Sequence, residues 1–165
     1  NKTAQPAETF RRPTVQDWRP VSAVSLADGT LLGLAEPADT ALAALGEPET
    51  VVPIITGTNL RRRYYPQHGI SVLSSREILA IFLISPDAPA IELSRPGLGG
   101  TKETLKVGMS RARLQSLLGG DWDVQFASID DPDTVYHLYR NVGIAARYRG
   151  DEVSELVVVV APRQS

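Results

Sequence analysis

Hydrophobic and polar positions follow the same order twice along the chain. Each half has a helical stripe ending in Leu-Gly, then a Tyr followed four residues later by Gly-Ile, then a long apolar run. These features fall at Leu45-Gly46, Tyr65, Gly69-Ile70 and 78–84 in the first half, and at Leu118-Gly119, Tyr139, Gly143-Ile144 and 153–160 in the second. A period of about 74 residues indicates two copies of one structural unit.

Each copy predicts a short helix followed by four strands. In the second copy Ser110 is an expected N-cap, and Gly119 is expected to end the helix. The predicted strands are 51–55, 60–65, 70–73 and 78–84 in the first copy, and 124–127, 135–140, 144–148 and 153–160 in the second. The predicted fold class is therefore α+β, with two tandem repeats, each a short helical segment packed on an antiparallel β-meander.

Proline and glycine clusters set the expected boundaries. Residues 1–20 contain three prolines and no hydrophobic period, which predicts a flexible N-terminal segment. The first α+β repeat is expected over 21–84 and the second over 104–165. A connecting segment, 85–103, contains three prolines and three glycines.

The last strand of each copy is apolar on both faces. One face is expected to meet the helix, and the other presents Phe82 in the first copy and Val157 in the second, interrupted by Ala80 and Glu155. A half-buried antiparallel strand normally carries polar residues on its second face. Two explanations stay open: the strands bury each other or form a continuous sheet, or an apolar patch awaits a partner.

Composition limits the functional classes. The net charge of −2 gives no general attraction to nucleic acid, and the absence of Cys excludes disulfides and thiolate metal sites. No apolar run approaches the length of a membrane-spanning helix. The chain begins at Asn1, so we expect any signal peptide or lipid anchor to lie upstream.

The order of these motifs resembles the SmpA/OmlA (BamE-like) family and the related β-lactamase-inhibitory-protein fold. The matching residues in the second copy are Leu105, Gly108, Ser110, Leu114, Leu118, Gly119, Tyr139, Gly143 and Ile144. The first copy departs, with Ala35-Glu36-Pro37 in place of Gly108-Met109-Ser110. The resemblance implies a periplasmic or otherwise extracytoplasmic bacterial protein. It also implies a protein partner in the cell envelope, a possible upstream lipid anchor and no catalysis.

The run from Arg61 to Tyr65 is the most conspicuous polar feature. Strand alternation places Arg61, Arg63 and Tyr65 on one face and the two intervening residues on the other. Three interpretations of this run stay open: solvated arginines beside packed tyrosines, a protein interface, or a nucleic-acid contact. The candidate protein-binding residues are Arg61, Arg63, Tyr65, Phe82, Tyr136 and Tyr139.

Catalytic patterns are weak, so we expect no enzyme, cofactor or metal site. The two histidines are His68 and His137, and no serine has the Gly-x-Ser-x-Gly context of a hydrolase. The acidic stretch 130–133 lacks the glycine and distal glutamate of a calcium loop. The leading hypothesis is a non-catalytic protein-binding module of a cell-envelope or secreted protein. The alternative is an accessory or sensor domain that binds a small ligand between the repeats.

Overall fold

The structure, a computed structural model, describes residues 18–95, 102–128 and 131–160. Residues 1–17 of the predicted N-terminal segment, 96–101 of the predicted connection and 129–130 beside the acidic stretch lie outside these ranges, as do 161–165. In chain order the elements are β1 (Ala23–Ser25), β2 (Leu31–Gly33), α1 (Ala38–Ala41), β3 (Thr50–Pro53), β4 (Arg61–Tyr65), β5 (Ile70–Ser74), β6 (Ile78–Leu83), β7 (Ile91–Ser94), β8 (Lys102–Leu105), α2 (Arg111–Leu118), β9 (Val124–Ala127), β10 (Val135–Tyr139), β11 (Ile144–Arg149) and β12 (Glu152–Val159), with 3₁₀ turns at Leu42–Leu45 and Pro66–His68.

Eight strands form one antiparallel sheet in the order β3-β4-β5-β6-β12-β11-β10-β9. The four strands from the first half lie together, the four from the second half lie together, and β6 pairs with β12 between them. In that pair Phe82 lies opposite Val157 and Leu83 lies opposite Leu156. The pairing gives backbone partners to two strands that would otherwise be exposed edges. The last strands are therefore joined edge to edge in a continuous sheet, and their second face, which includes Phe82 and Val157, lines a cavity.

This sheet shows that the predicted fold class, two α+β repeats with a helix on each meander, is wrong. Of the residues that the structure describes, 44% lie in strands and 14% in helices, so this part of the chain is mostly β. The first predicted helix shrinks to the four residues of α1 and continues as the 3₁₀ turn Leu42–Leu45. Hydrogen bonding between β6 and β12 joins the strands of both halves into one sheet, which the hydrophobic period of either half alone could not reveal.

One face of the sheet packs on the main hydrophobic core, which the helices and the short hairpins β1–β2 and β7–β8 cover. In α2, Ser110 Oγ accepts a hydrogen bond of 3.0 Å from the Arg113 backbone N–H, which caps the first turn. The apolar stripe of α2 is buried, including Leu114 and Leu118. Trp18, 3% exposed, joins this core and donates from Nε1 to the Leu117 carbonyl at 2.8 Å.

Gly69 ends the 3₁₀ turn between β4 and β5 in a left-handed conformation, with φ 66°. A Cβ at this position would lie 2.6 Å from the backbone nitrogen of Ala88 and 2.6 Å from Ser85 Oγ. The turn and the segment after β6 therefore pack too closely for any side chain. In the first half, Gly69-Ile70 thus marks a place where two backbone segments touch.

Strand β4 has two different faces, as its alternation predicts. Tyr65 lies in the main core, whereas Arg62 and Tyr64 line a cavity on the opposite face of the sheet. Arg61 and Arg63 share the core-side face with Tyr65 and lie near Asp39 of α1. The sheet therefore presents one covered face and one face with a cavity.

Candidate functional site

The open face of the sheet forms an apolar groove with a cavity of about 220 Å³. Its walls include Val52 of β3 and Phe126 of β9, which belong to the two outermost strands of the sheet. Two strands at opposite ends of a sheet can line one cavity only where the sheet is strongly curved, and sheet twist and coiling produce such curvature. The groove is therefore the concave face of the sheet, and both halves of the chain contribute to it.

The floor of the groove is a second apolar cluster, separate from the main core. Its buried members are Ala80, Tyr136, Ala145 and Val157. Half-buried residues packed around them are Leu73, Phe82, Phe126, Leu138 and Val159. The Tyr136 ring stacks on Phe126 at 5.2 Å between centroids and meets Phe82 edge-on at 6.3 Å. These rings join the first half to the second across the groove.

Arg62 is a cation in the wall of this apolar groove. Its guanidinium carbon lies 4.0 Å from the centroid of the Phe82 ring and 5.0 Å from that of Tyr64. Its Nε donates to the Oγ of the fully buried Ser71 at 2.7 Å. Among the described residues no carboxylate forms a salt bridge with Arg62. The aromatic rings and the hydroxyl hold the side chain in place without neutralising its charge.

A buried polar network adjoins the groove at Glu155, which is 9% exposed. Tyr136 Oη donates to Glu155 Oε1 at 2.9 Å, and Arg147 Nη1 donates to Glu155 Oε2 at 2.6 Å. Burial, together with the negative charge of Glu155, raises the pKa of Tyr136 well above its usual value. The phenol is therefore a neutral donor at physiological pH, and Arg147 compensates the carboxylate.

The structure separates the six residues predicted as a protein-binding surface. Phe82 and Tyr136 meet in the groove. Tyr65 and Tyr139 are 1% and 0% exposed in the main core, and Tyr139 Oη donates to the Gly119 carbonyl at 2.9 Å.

Arg61 and Arg63 line a polar pocket on the other face of the sheet. The six residues therefore form no single surface, and the two buried tyrosines have structural roles.

Sequence reasoning did not select Arg62, Ser71 or Glu155. Alternation along the strand did place Arg62 on the other face from Arg61 and Arg63. Glu155 was noted as a polar residue that interrupts a row of apolar positions. Nothing in the sequence indicated that the Ser71 hydroxyl is buried and binds Arg62, because a serine within a strand is usually a surface residue.

The histidines lie away from the groove. His137 stacks on Trp122, with ring centroids 3.8 Å apart, and burial followed by the charge of Arg111 lowers its pKa. His68 Nε2 lies 3.1 Å from the Leu45 carbonyl. Within the ranges that the structure describes, no three His, Asp or Glu residues are grouped as metal ligands would be.

Comparison with known proteins gives no relative: neither a family model, nor a curated protein, nor a solved structure matches this chain. The resemblance to the SmpA/OmlA family therefore stays a prediction, as do the extracytoplasmic location and the envelope partner. In the described part of the chain, no helix has the length and apolar character needed to cross a bilayer.

Proposed function

We propose that this protein is a binding protein that takes a small amphipathic molecule, with an apolar body and an anionic end, into the groove. The observation that supports this most directly is the concave cavity lined by strands from both halves. Of the two hypotheses from the sequence, the cavity favours the small-ligand alternative, which expected a pocket between the two halves.

The size and lining of the cavity define the apolar part of the ligand. The volume of the cavity is about 220 Å³. Pockets for drug-sized molecules typically hold about 300–1,000 Å³, so this ligand is smaller or extends beyond the groove. The floor residues Ala80, Tyr136 and Val157 offer mainly carbon surface. A short alkyl chain or a single aromatic ring fits these limits.

The charges around the groove define the polar end. Glu155 is already paired with Arg147, whereas Arg62 has no acidic partner among the described residues. The three side chains leave a net charge of about +1 beside an apolar cavity, where a low dielectric strengthens attraction to an anion. A carboxylate or sulfonate next to Arg62 would restore neutrality, and a guanidinium binds such groups with two parallel hydrogen bonds.

The test is calorimetric titration of the full chain with octanoate, octanol and butyrate. We expect octanoate to bind more tightly than octanol, because octanol lacks the anion, and more tightly than butyrate, because butyrate lacks the apolar chain. Ala80→Phe should abolish binding of octanoate and octanol, because the new ring fills the floor. Leu31→Phe is the matched control, since Leu31 is 63% exposed and lies outside the groove.

Arg62→Gln tests the charge separately. We expect it to weaken octanoate binding about tenfold and to leave octanol binding unchanged. The proposal fails if the wild type binds neither octanoate nor octanol, or if Ala80→Phe binds both as the wild type does. Protein binding through this face would then be the hypothesis to pursue.

A further inference from the structure

A second cavity, polar and open, lies where β4, the turn before β6 and the start of α1 meet. Its lining residues are Asp39, Asn59, Arg61, Arg63, Ser75 and Arg76, and its volume is about 580 Å³. Arg61 and Arg63 alternate with Arg62 along β4, so this pocket and the groove lie on opposite faces of one strand. The two cavities have no lining residue in common.

Neutral acceptors fix two of the three guanidinium groups. Arg61 Nη1 donates to the carbonyl of Thr58 at 2.6 Å and to that of Leu60 at 3.1 Å. Arg63 Nη1 donates to the Oγ of Ser74, a fully buried serine, at 2.7 Å. These bonds orient the arginines and leave their charges in place. A site prepared in this way loses less side-chain entropy when a ligand binds.

The charges in the pocket are unbalanced. Three arginines and one aspartate give a net charge of +2, whereas the whole chain carries −2. In the described part of the chain no salt bridge involves Arg61, Arg63 or Arg76. Three like charges around one cavity repel each other, and a bound dianion would remove that repulsion.

We propose that this pocket binds a phosphate-type dianion, such as a phosphomonoester or a diphosphate. Arginine is the side chain best suited to a phosphate group, because its planar donors match two oxygens at once. Asn59 and Ser75 add neutral donors on the same lining. The charge of +2 matches a dianion better than a singly charged carboxylate. The phosphate group could belong to a soluble molecule or to a lipid headgroup.

The experiment measures binding of inorganic pyrophosphate to the full chain by calorimetry, against chloride at matched ionic strength. We expect Arg63→Gln and Arg76→Gln each to weaken binding at least about tenfold. Arg149→Gln is the control for loss of one exposed arginine outside the pocket. Asp39→Asn should tighten binding about two- to fivefold, since it removes a negative charge from the lining.

Arg76→Gln keeps the proposal testable if Arg63→Gln unfolds the protein. Arg76 is exposed, and its backbone carbonyl accepts a hydrogen bond from the Ala38 N–H, a contact that Arg76→Gln keeps. Co-sedimentation with phosphatidylcholine vesicles, with and without phosphatidic acid, distinguishes a lipid source from a soluble one. Two results would overturn the proposal: no binding to pyrophosphate or to phosphatidic acid vesicles, or binding that Arg76→Gln leaves unchanged.

Discussion

The pair formed by Glu155 and Arg147 provides the sharpest test of the packing beside the groove. The two side chains are 12% and 30% exposed, and Arg147 Nη1 lies 2.6 Å from Glu155 Oε2. Arg147→Met would remove the charged partner of the buried carboxylate and leave it the hydrogen bond from Tyr136 Oη. Removing one partner of a fully buried pair costs about 3–5 kcal/mol. Because water reaches part of Arg147, we expect a loss of about 2–3 kcal/mol in the free energy of unfolding.

The assay is urea unfolding followed by tryptophan fluorescence at neutral pH, with thermal melting beside it. For a chain of this size the expected loss corresponds to a fall in Tm of about 4–12 °C. Arg113→Met is the matched control, because its ion pair with Glu103 is exposed, at 53% and 34% for the two side chains. An exposed pair contributes at most about 1 kcal/mol, so this control should melt close to the wild type.

A double-mutant cycle with Glu155→Gln separates two causes of the stability loss in Arg147→Met: an unpaired buried charge and the loss of side-chain packing. Once the carboxylate is replaced by a neutral amide, loss of Arg147 no longer strands a buried charge. We therefore expect the double variant to be more stable than Arg147→Met alone, with a coupling energy of at least about 1 kcal/mol. If the losses of the two single variants simply add, the carboxylate is not held by Arg147, and the charge balance assigned to the groove is wrong.

Two further predictions concern tyrosine ionisation and the turn before β5. Burial is the largest cause of the raised pKa in four tyrosines: Tyr65, Tyr136, Tyr139 and Tyr148. Above about pH 10 the tyrosines of the unfolded chain lose their phenolic protons before those of the folded chain do. The free energy of unfolding in urea should therefore fall by up to about 1.4 kcal/mol per pH unit per tyrosine. A free energy of unfolding that does not change with pH in this range would contradict the burial of these tyrosines. Gly69→Ala should destabilise the protein by more than Gly29→Ala in the same assay. Both glycines have positive φ, but of the two only Gly69 would place its new Cβ against the backbone of Ala88. Equal losses of stability in the two variants would refute the close approach to Ala88.

Local features of the fold were predictable because local rules determine them. The cap at Ser110, the buried leucines of α2 and the alternation of β4 follow from side-chain chemistry and periodicity. The pairing of β6 with β12 does not, because the choice of a strand's neighbour depends on contacts far apart in sequence. Strands apolar on both faces left open mutual burial, a continuous sheet or an apolar patch for a partner, and the pattern alone does not say which strand is the neighbour.

The same limit applies to the groove. Phe82 and Tyr136 were selected separately as interface residues, and curvature of the sheet places them in edge contact. Their neighbour Arg62 was assigned a face but not an environment, because alternation says which side a residue occupies and not what it meets there. Glu155 appeared only as a polar interruption, since its partner Arg147 lies across a strand pair whose register includes a shift.

The alternation of β4 makes the two proposed sites separable, although their arginines are adjacent in sequence. Arg62 lies in the wall of the groove, whereas Arg61 and Arg63 lie in the polar pocket on the opposite face. A general attraction of the protein for anions would make every arginine substitution weaken octanoate and pyrophosphate alike. Two local sites require a crossed result instead: Arg62→Gln should weaken octanoate and spare pyrophosphate, and Arg76→Gln should do the reverse. Because one strand carries both sets of side chains, unfolding of β4 would abolish both activities together, so only the crossed result assigns each anion to its own face of the sheet.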